Sequence, residues 1–292
     1  MRSFGMCVSD GNEIFGHMVG QVSHAYIMNH NENFFTETLS EMSLMKIEEL
    51  YKPNRKRLGI LWAGTSGSGK TTAVISTLRQ AILSNEFDEF HRFVIVDPKV
   101  QRGDYDMLTE PITDLGSAIK SMNKNRVTLY WPDYEEFDTK TLEEDISYIV
   151  DEMFNLSQSK DEPTFTFILD EASIVISPTR VPPSLKRLSV QGRAKGILPH
   201  FISQRPLTNR WMDANLSRVM LFRMLPVDAD NLSKRWGVDF VSADETIRAK
   251  EYSFIEFNLE SATIRNMNPV PLPKRIPKPK TRFDKFREKL SF

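Results

Sequence analysis

Residues 64–71 read Gly-Thr-Ser-Gly-Ser-Gly-Lys-Thr, the pattern G-x-x-x-x-G-K-[ST]. Few short patterns restrict a fold so tightly, because this one has meaning only as a glycine loop joining a buried strand to a helix. The flanks supply both elements. Arg57 to Ala63 reads as a buried strand, and Thr72 to Leu83 is apolar at helical spacing. In that setting the glycines let the backbone curl, so that successive N–H groups and the helix N-terminus face phosphate oxygens. Gly64, Thr65, Ser66, Gly67, Ser68, Gly69, Lys70, Thr71 and Thr72 are therefore the expected nucleotide contacts. Lys70 would reach the β- and γ-phosphates, and the Thr71 hydroxyl would hold Mg²⁺.

A second element follows about a hundred residues later. Phe165-Thr166-Phe167-Ile168-Leu169 is a mostly apolar strand that ends in Asp170-Glu171, the Walker B arrangement. Asp170 would stand behind the Mg²⁺ shell, and Glu171 would polarise the attacking water as a general base. The plainer reading of Glu171 is a solvated acid at a strand end. His91 to Val96 is another buried strand, ending in Asp97-Pro98-Lys99, and Arg126 to Pro132 is a third. Thr141 to Leu156 reads as a helix with Leu142, Ile146, Ile149, Val150 and Met153 on one face. Leu198 to Ser203 is a further strand, ending in Gln204-Arg205-Pro206. A glutamine beside the Walker B strand can hydrogen-bond both water and γ-phosphate, and so register whether the phosphate is present.

Charge needs comment because it is so uneven. The formal net charge of 292 residues is −1, which gives no global field for nucleic acid. Yet from Ala172 to Met212 there is no acid, while Arg180, Lys186, Arg187, Arg193, Lys195, Arg205 and Arg210 fall there. Such a run faces DNA phosphates, or a γ-phosphate bound by a neighbouring subunit, or simply solvent. Residues 272–292 form a second basic, Pro-rich stretch, read as a tether that docks on a partner or as a frayed terminus. Residues 1–56 precede the first strand and include an amphipathic pattern over Thr36–Tyr51. They are read as an extension packed on the core or as a contact with a neighbouring subunit. One cysteine, Cys7, excludes an intramolecular disulfide. Asp10 and Glu13 interrupt the early candidate for a leader, and no apolar run is long enough to span a membrane. The histidines at 17, 24, 30, 91 and 200 show no metal-ligand spacing and are read as structural or exposed.

Taken together, the P-loop GTSGSGKT, the strand end DPK, the Walker B strand FILDE and the strand FISQRP resemble the HerA/FtsK superfamily of DNA-pumping ATPases. The segments 218–224, 228–237, 253–257 and 268–271 resemble the last core strand, the following helix and the ending of the compact genome-packaging ATPases of membrane-containing viruses. The resemblance covers residues 57–271. It implies a RecA-like (ASCE) P-loop domain with a mainly parallel sheet flanked by helices, set between the N-terminal extension and the basic tail. It implies ATP and Mg²⁺, hydrolysis coupled to translocation of double-stranded DNA, and a homo-oligomeric ring of five or six subunits. It implies Gln204 as sensor and an arginine finger acting in the next subunit's site; Arg193 and Arg205 are the candidates, and the sequence does not choose between them. A packaging enzyme would work in host cytoplasm or at a virion's packaging vertex, where the tail would dock on capsid vertex proteins. Two rival readings are a conjugation or HerA-like DNA motor, and a P-loop assembly or secretion factor that binds ATP without moving DNA.

Overall fold

The computed structural model describes residues 50–51, 59–84, 87, 90–134, 138–157, 163–206, 209–273 and 276. Its centre is a sheet whose described strands run in the order β3-β4-β2-β5-β6-β1-β7-β8-β9. The strands are β1 (Gly59–Ala63), β2 (Arg92–Val96), β3 (Pro111–Ile112), β4 (Val127–Tyr130), β5 (Phe165–Leu169), β6 (Ile197–Ser203), β7 (Leu216–Leu221), β8 (Phe254–Asn258) and β9 (Thr263–Met267). From β3 to β7 every pairing is parallel, and β8 and β9 add an antiparallel margin.

The hydrophobic pattern explains this layout. Central parallel strands are covered on both faces and so read as unbroken apolar runs. Every residue of β1, β5 and β6 is buried. Alternate side chains go to opposite faces. Ile60, Trp62, Phe93, Ile95, Ile168 and Ile202 join one core with the helix α1 (Lys70–Leu83) and with Leu50 and Tyr51. Leu61, Ala63, Val94, Val96, Phe167 and Phe201 join the other. That second core is covered by α2 (Leu115–Lys124), α3 (Thr139–Leu156), α4 (Pro183–Gln191), α5 (Arg210–Asp213), α6 (Pro226–Trp236) and α7 (Phe240–Arg248).

Local chemistry sets the helix ends. Asp114, Asp138 and Asp239 cap α2, α3 and α7 by accepting first-turn backbone N–H groups. Pro183 and Pro226 open α4 and α6, where a missing N–H costs nothing. The strands and helices read between residues 57 and 257 are present with ends displaced by up to three residues, whereas β3, β9, α2, α4, α5 and α7 have no counterpart in that reading. The amphipathic pattern over Thr36–Tyr51 lies outside the described residues except for Leu50 and Tyr51, which are helical and fully buried. The basic tail lies outside them as well, apart from residues 272, 273 and 276.

Two of the histidines serve this packing. His200 stacks on Tyr51 with ring centroids 4.8 Å apart, accepts a hydrogen bond from Trp62 Nε1 at 3.1 Å and contacts the Leu50 carbonyl at 3.1 Å. His91 bonds the hydroxyls of Thr164 and Thr166 at 2.8 and 3.0 Å. Their structural reading stands; His17, His24 and His30 lie outside the described residues. Among the described residues no cluster of His, Cys, Asp and Glu could hold a metal by itself, and no helix is long and apolar enough to cross a membrane.

Candidate nucleotide site at the carboxyl edge of the sheet

Because β1, β2, β5, β6 and β7 are parallel, whatever follows each of them lands on one edge of the sheet. In open α/β sheets that edge is the ligand crevice. Here it gathers the P-loop after β1, Asp97 and Lys99 after β2, Asp170 and Glu171 after β5, Gln204 and Arg205 after β6, and Arg223 after β7.

Gly64 to Gly69 form the loop, and Lys70, Thr71 and Thr72 are the first turn of α1. Gly69 has φ 93°, and a Cβ there would come within 3.0 Å of the Tyr252 ring. At Gly64 a Cβ would come within 2.7 Å of Phe222 Cβ, so the loop leaves β1 pressed against the end of β7. Thr65 ties the loop to that strand, its N–H donating to the Arg223 carbonyl at 2.9 Å and its hydroxyl donating to the same oxygen at 3.1 Å. The Lys70 ammonium folds back onto the loop and donates to the Thr65 carbonyl at 3.0 Å. Burial pushes its pKa down, and the charges of Glu171 and Asp170 oppose that shift. Ser68 Oγ is buried with no hydrogen-bond partner among the described residues. A phosphate oxygen would satisfy it, and the glycine loop has the shape to admit one.

The acids form a chain of contacts. Asp170 is fully buried, accepts the Glu171 N–H at 2.7 Å and pairs with Lys99 Nζ at 2.9 Å. Burial works against the Lys99 ammonium, but the charge and hydrogen bond of Asp170 outweigh it, and the Lys99 pKa is raised. Asp97 accepts from Trp131 Nε1 and from the Lys99 N–H, both at 3.1 Å. Its burial, and next the charge of Asp170, push its carboxyl up to about 6. Glu171 holds a left-handed backbone, φ 45°, which is costly for a residue with a side chain. That conformation presents its carboxylate to the next strand end, where Gln204 Nε2 donates to Glu171 Oε1 at 3.0 Å. The Thr71 hydroxyl on the first turn of α1 and the buried Asp170 carboxylate at the end of β5 are oxygen donors on this edge that would hold a Mg²⁺ ion, which would offset the charge of bound phosphates.

Two of the expected residues are placed differently from the rest. Arg205 reaches the edge, but its guanidinium is paired with Asp228 of α6, at 2.5 Å for Nη2 and 3.0 Å for Nε. Arg193 sits in a 3₁₀ turn, Gly192–Lys195, before β6. It is thus at the opposite end of that strand from Gln204, roughly 20 Å away along a seven-residue strand. It is exposed; its carbonyl accepts the Gly196 N–H at 3.3 Å, and its guanidinium is paired with no acid among the described residues. The basic run also needs correction. Arg180 makes a two-fold contact with Glu143 at 2.6 and 2.5 Å, and Arg187 pairs with Asp151 at 2.6 Å. With Arg205 on Asp228, three of the seven cations have acids supplied by α3 and α6. The one-sign stretch is therefore less one-signed in space than along the chain.

Two residues beside the loop were not singled out in the sequence. Arg223 follows β7, the strand beside the P-loop strand, and its Nε lies 3.5 Å from Thr65 Oγ1; its position just past a strand end was the signal available. Tyr252 lies in the turn between α7 and β8, where no pattern marks it.

Strand, phosphate loop and helix, with Walker B acids one strand beyond an intervening β6, make this the fold of a P-loop NTPase of the RecA-like, additional-strand type. No family model matches the sequence, and no curated protein matches it. Solved structures do. The genome packaging NTPase B204 from Sulfolobus turreted icosahedral virus 2 in complex with ATPγS matches with a TM-score of 0.57 at 19% identity, over 73% of this chain and 98% of that one. Its complex with AMPPCP matches at 0.57 and 18%, over 74% and 98%. B204, the DNA-packaging ATPase from Sulfolobus turreted icosahedral virus, matches at 0.54 and 17%, over 73% and 98%. The likeness is one of fold, and it falls on the same compact packaging NTPases that the motifs resemble.

Proposed function

We propose that this chain is an ATPase that drives double-stranded DNA into a virion, working as a homo-oligomeric ring in the host cytoplasm or at the packaging vertex. The observation that carries it is the convergence of Lys70, Asp170, Glu171 and Gln204 on one sheet edge, with Gln204 bonded to Glu171 at 3.0 Å. The fold it shares with the B204 packaging NTPases supports the same reading.

The geometry supports the following roles. The P-loop N–H groups and Lys70 bind the β- and γ-phosphates and fix them against α1. Mg²⁺, held by Thr71 with Asp170 behind, would neutralise charge on those phosphates. Glu171 accepts the proton of the attacking water. Gln204 orients Glu171 and is placed to detect loss of the γ-phosphate, passing that change along β6. An arginine from a neighbouring subunit completes the site, and Arg193 is better placed than Arg205 to leave its own subunit. Residues 57–271 are the ATPase domain in this scheme. Residues 1–56 form an N-terminal extension, and the tail 272–292 is a tether to the capsid vertex.

The test is the Mg²⁺-dependent ATPase rate of the purified chain, with and without duplex DNA, alongside Lys70→Ala. Stimulation by DNA that Lys70→Ala abolishes supports the motor. The ion pairs that neutralise Arg180, Arg187 and Arg205 favour a second reading, an assembly factor that hydrolyses ATP without gripping DNA. A rate indifferent to DNA in protein that forms rings would select it.

A further inference from the structure

A cavity of about 410 Å³ opens directly off the phosphate loop. Its lining brings together Gly67 and Ser68 of the P-loop, Arg223, the end of α7, and the turn Lys250–Ser253. Its volume lies within the range of small-molecule sites, roughly 300–1,000 Å³. Nothing in the hydrolytic roles above uses it.

Tyr252 is the unusual residue of that turn. Its backbone is left-handed, φ 61°, a conformation a side-chain-bearing residue adopts at a cost. The residue is 53% exposed, and yet its ring is packed at Gly69, 3.0 Å from where a Cβ would stand. An apolar ring held in solvent by a strained turn, against the loop that grips phosphates, is poorly explained by core packing. It is well explained as a surface for a flat, apolar ligand group joined to those phosphates.

We infer that this cavity is the nucleoside subsite, with Tyr252 stacking on the purine ring of the nucleotide whose phosphates the P-loop holds. The inference rests on the nucleotide reading of the P-loop and adds the base to it. Aromatic stacking tolerates any base, so Tyr252, whose hydroxyl is hydrogen-bonded to Glu251, supplies affinity, while Arg223 is the nearby cation for the ribose or base edge; Lys250 is bonded to Asn268 at 2.6 Å.

The test compares a ligand that has a base with one that lacks it. Dissociation constants of ADP and of inorganic tripolyphosphate are measured by calorimetry for the wild type, Tyr252→Ala, Tyr252→Trp and Lys70→Ala. Tyr252→Ala is expected to weaken ADP about tenfold, as loss of one stacked ring does. Tripolyphosphate should stay within about twofold, and Tyr252→Trp should keep ADP affinity, because it keeps the ring. Unchanged ADP affinity in Tyr252→Ala would overturn the subsite. Equal losses of ADP and tripolyphosphate would overturn it too, since Tyr252 would then be only a wedge supporting Gly69. Binding of both ligands that Lys70→Ala leaves intact would instead remove the P-loop reading, and this inference with it.

Discussion

Lys99 Nζ lies 2.9 Å from Asp170 Oδ2, joining the ends of two adjacent strands, β2 and β5, behind the phosphate loop. The Asp170 side chain is 1% exposed and Lys99 is 25% exposed, so Lys99 is the cation paired directly with a buried carboxylate, with the Lys70 charge acting on it as well. Removing a partner from a buried pair strands the remaining charge. Lys99→Ala should therefore lower the unfolding free energy by about 2 kcal/mol or more, read from urea denaturation. Millimolar Mg²⁺ should restore part of that loss, because a divalent ion can take the place of the ammonium beside Asp170. A variant as stable as wild type, or one that Mg²⁺ does not help, would show that Asp170 is neutralised in another way.

The Gln204–Glu171 bond gives a graded prediction for chemistry. Glu171→Gln should bind ATP as before and hydrolyse it on the order of a hundredfold more slowly, as expected for loss of a general base. Gln204→Ala leaves the base but frees its side chain, and roughly tenfold lower kcat with near-normal KM is expected. Single-turnover hydrolysis with radiolabelled ATP separates these steps from product release. Near-normal turnover in Glu171→Gln would take that residue out of the role.

What the sequence made legible divides along a physical line. The P-loop, the Walker B pair and the glutamine after β6 are local features, each a strand end, and parallel pairing brings strand ends together automatically. Asp97 and Lys99 are strand-end residues of the same kind, but the partner of Lys99 could not be read, since pairing depends on which strand lies next to β2. The basic run misled for the same reason in reverse. Its counter-charges Glu143, Asp151 and Asp228 lie on α3 and α6, which are distant in sequence and adjacent in space. Arg193 and Arg205 are only twelve positions apart, yet a seven-residue strand carries them to opposite edges of the sheet. Tyr252 carried no pattern at all, because its contact with Gly69 is a product of tertiary packing.

That separation sharpens the choice of arginine finger. Arg205 is held on Asp228 within its own chain, and its side chain is 61% exposed, so Arg205→Ala should cost less than about 1 kcal/mol of stability and little turnover. Arg193→Ala should keep ATP affinity and lose turnover by as much as about 10³-fold, the lower end of what arginine fingers contribute. Mixing Arg193→Ala with Lys70→Ala subunits should recover activity, since each supplies what its neighbour lacks. Normal hydrolysis by Arg193→Ala, or no recovery on mixing, would mean that the finger lies elsewhere.

His200 gives a stability prediction with a definite sign. Burial pushes its pKa down to about 3 from 6.5, against a smaller opposing effect of the Leu50 carbonyl. The neutral ring is what the fold accommodates. The contribution is therefore fully present above pH 6.5 and is lost as pH falls towards 3, because the unfolded chain takes up the proton first. Asp97, whose carboxyl is raised to about 6, has the opposite slope, so the comparison must be between variants. The melting temperature of His200→Phe should fall less than that of wild type between pH 6.5 and pH 4, although it starts lower through the unpaired Trp62 N–H. Parallel curves would show that His200 does not set the acid limit.

The corrected charge map also changes which residues should touch DNA. Lys186, over the Trp211 ring at 5.3 Å, and the exposed Arg193 and Lys195 are not paired with acids among the described residues, whereas Arg187 is committed to Asp151 and to the Phe154 ring at 4.1 Å. A packaging motor must grip without reading sequence, so its contacts should go to phosphates and weaken as salt rises. Lys186→Glu combined with Lys195→Glu should abolish stimulation of hydrolysis by duplex DNA and leave the basal rate intact. Arg187→Glu should instead lower stability slightly and preserve stimulation, because the charge it removes already faces an acid. Filter binding across a salt series reads the contact directly. If the double variant binds duplex DNA with the wild-type salt slope, this face does not meet DNA, and the assembly-factor reading gains the ground.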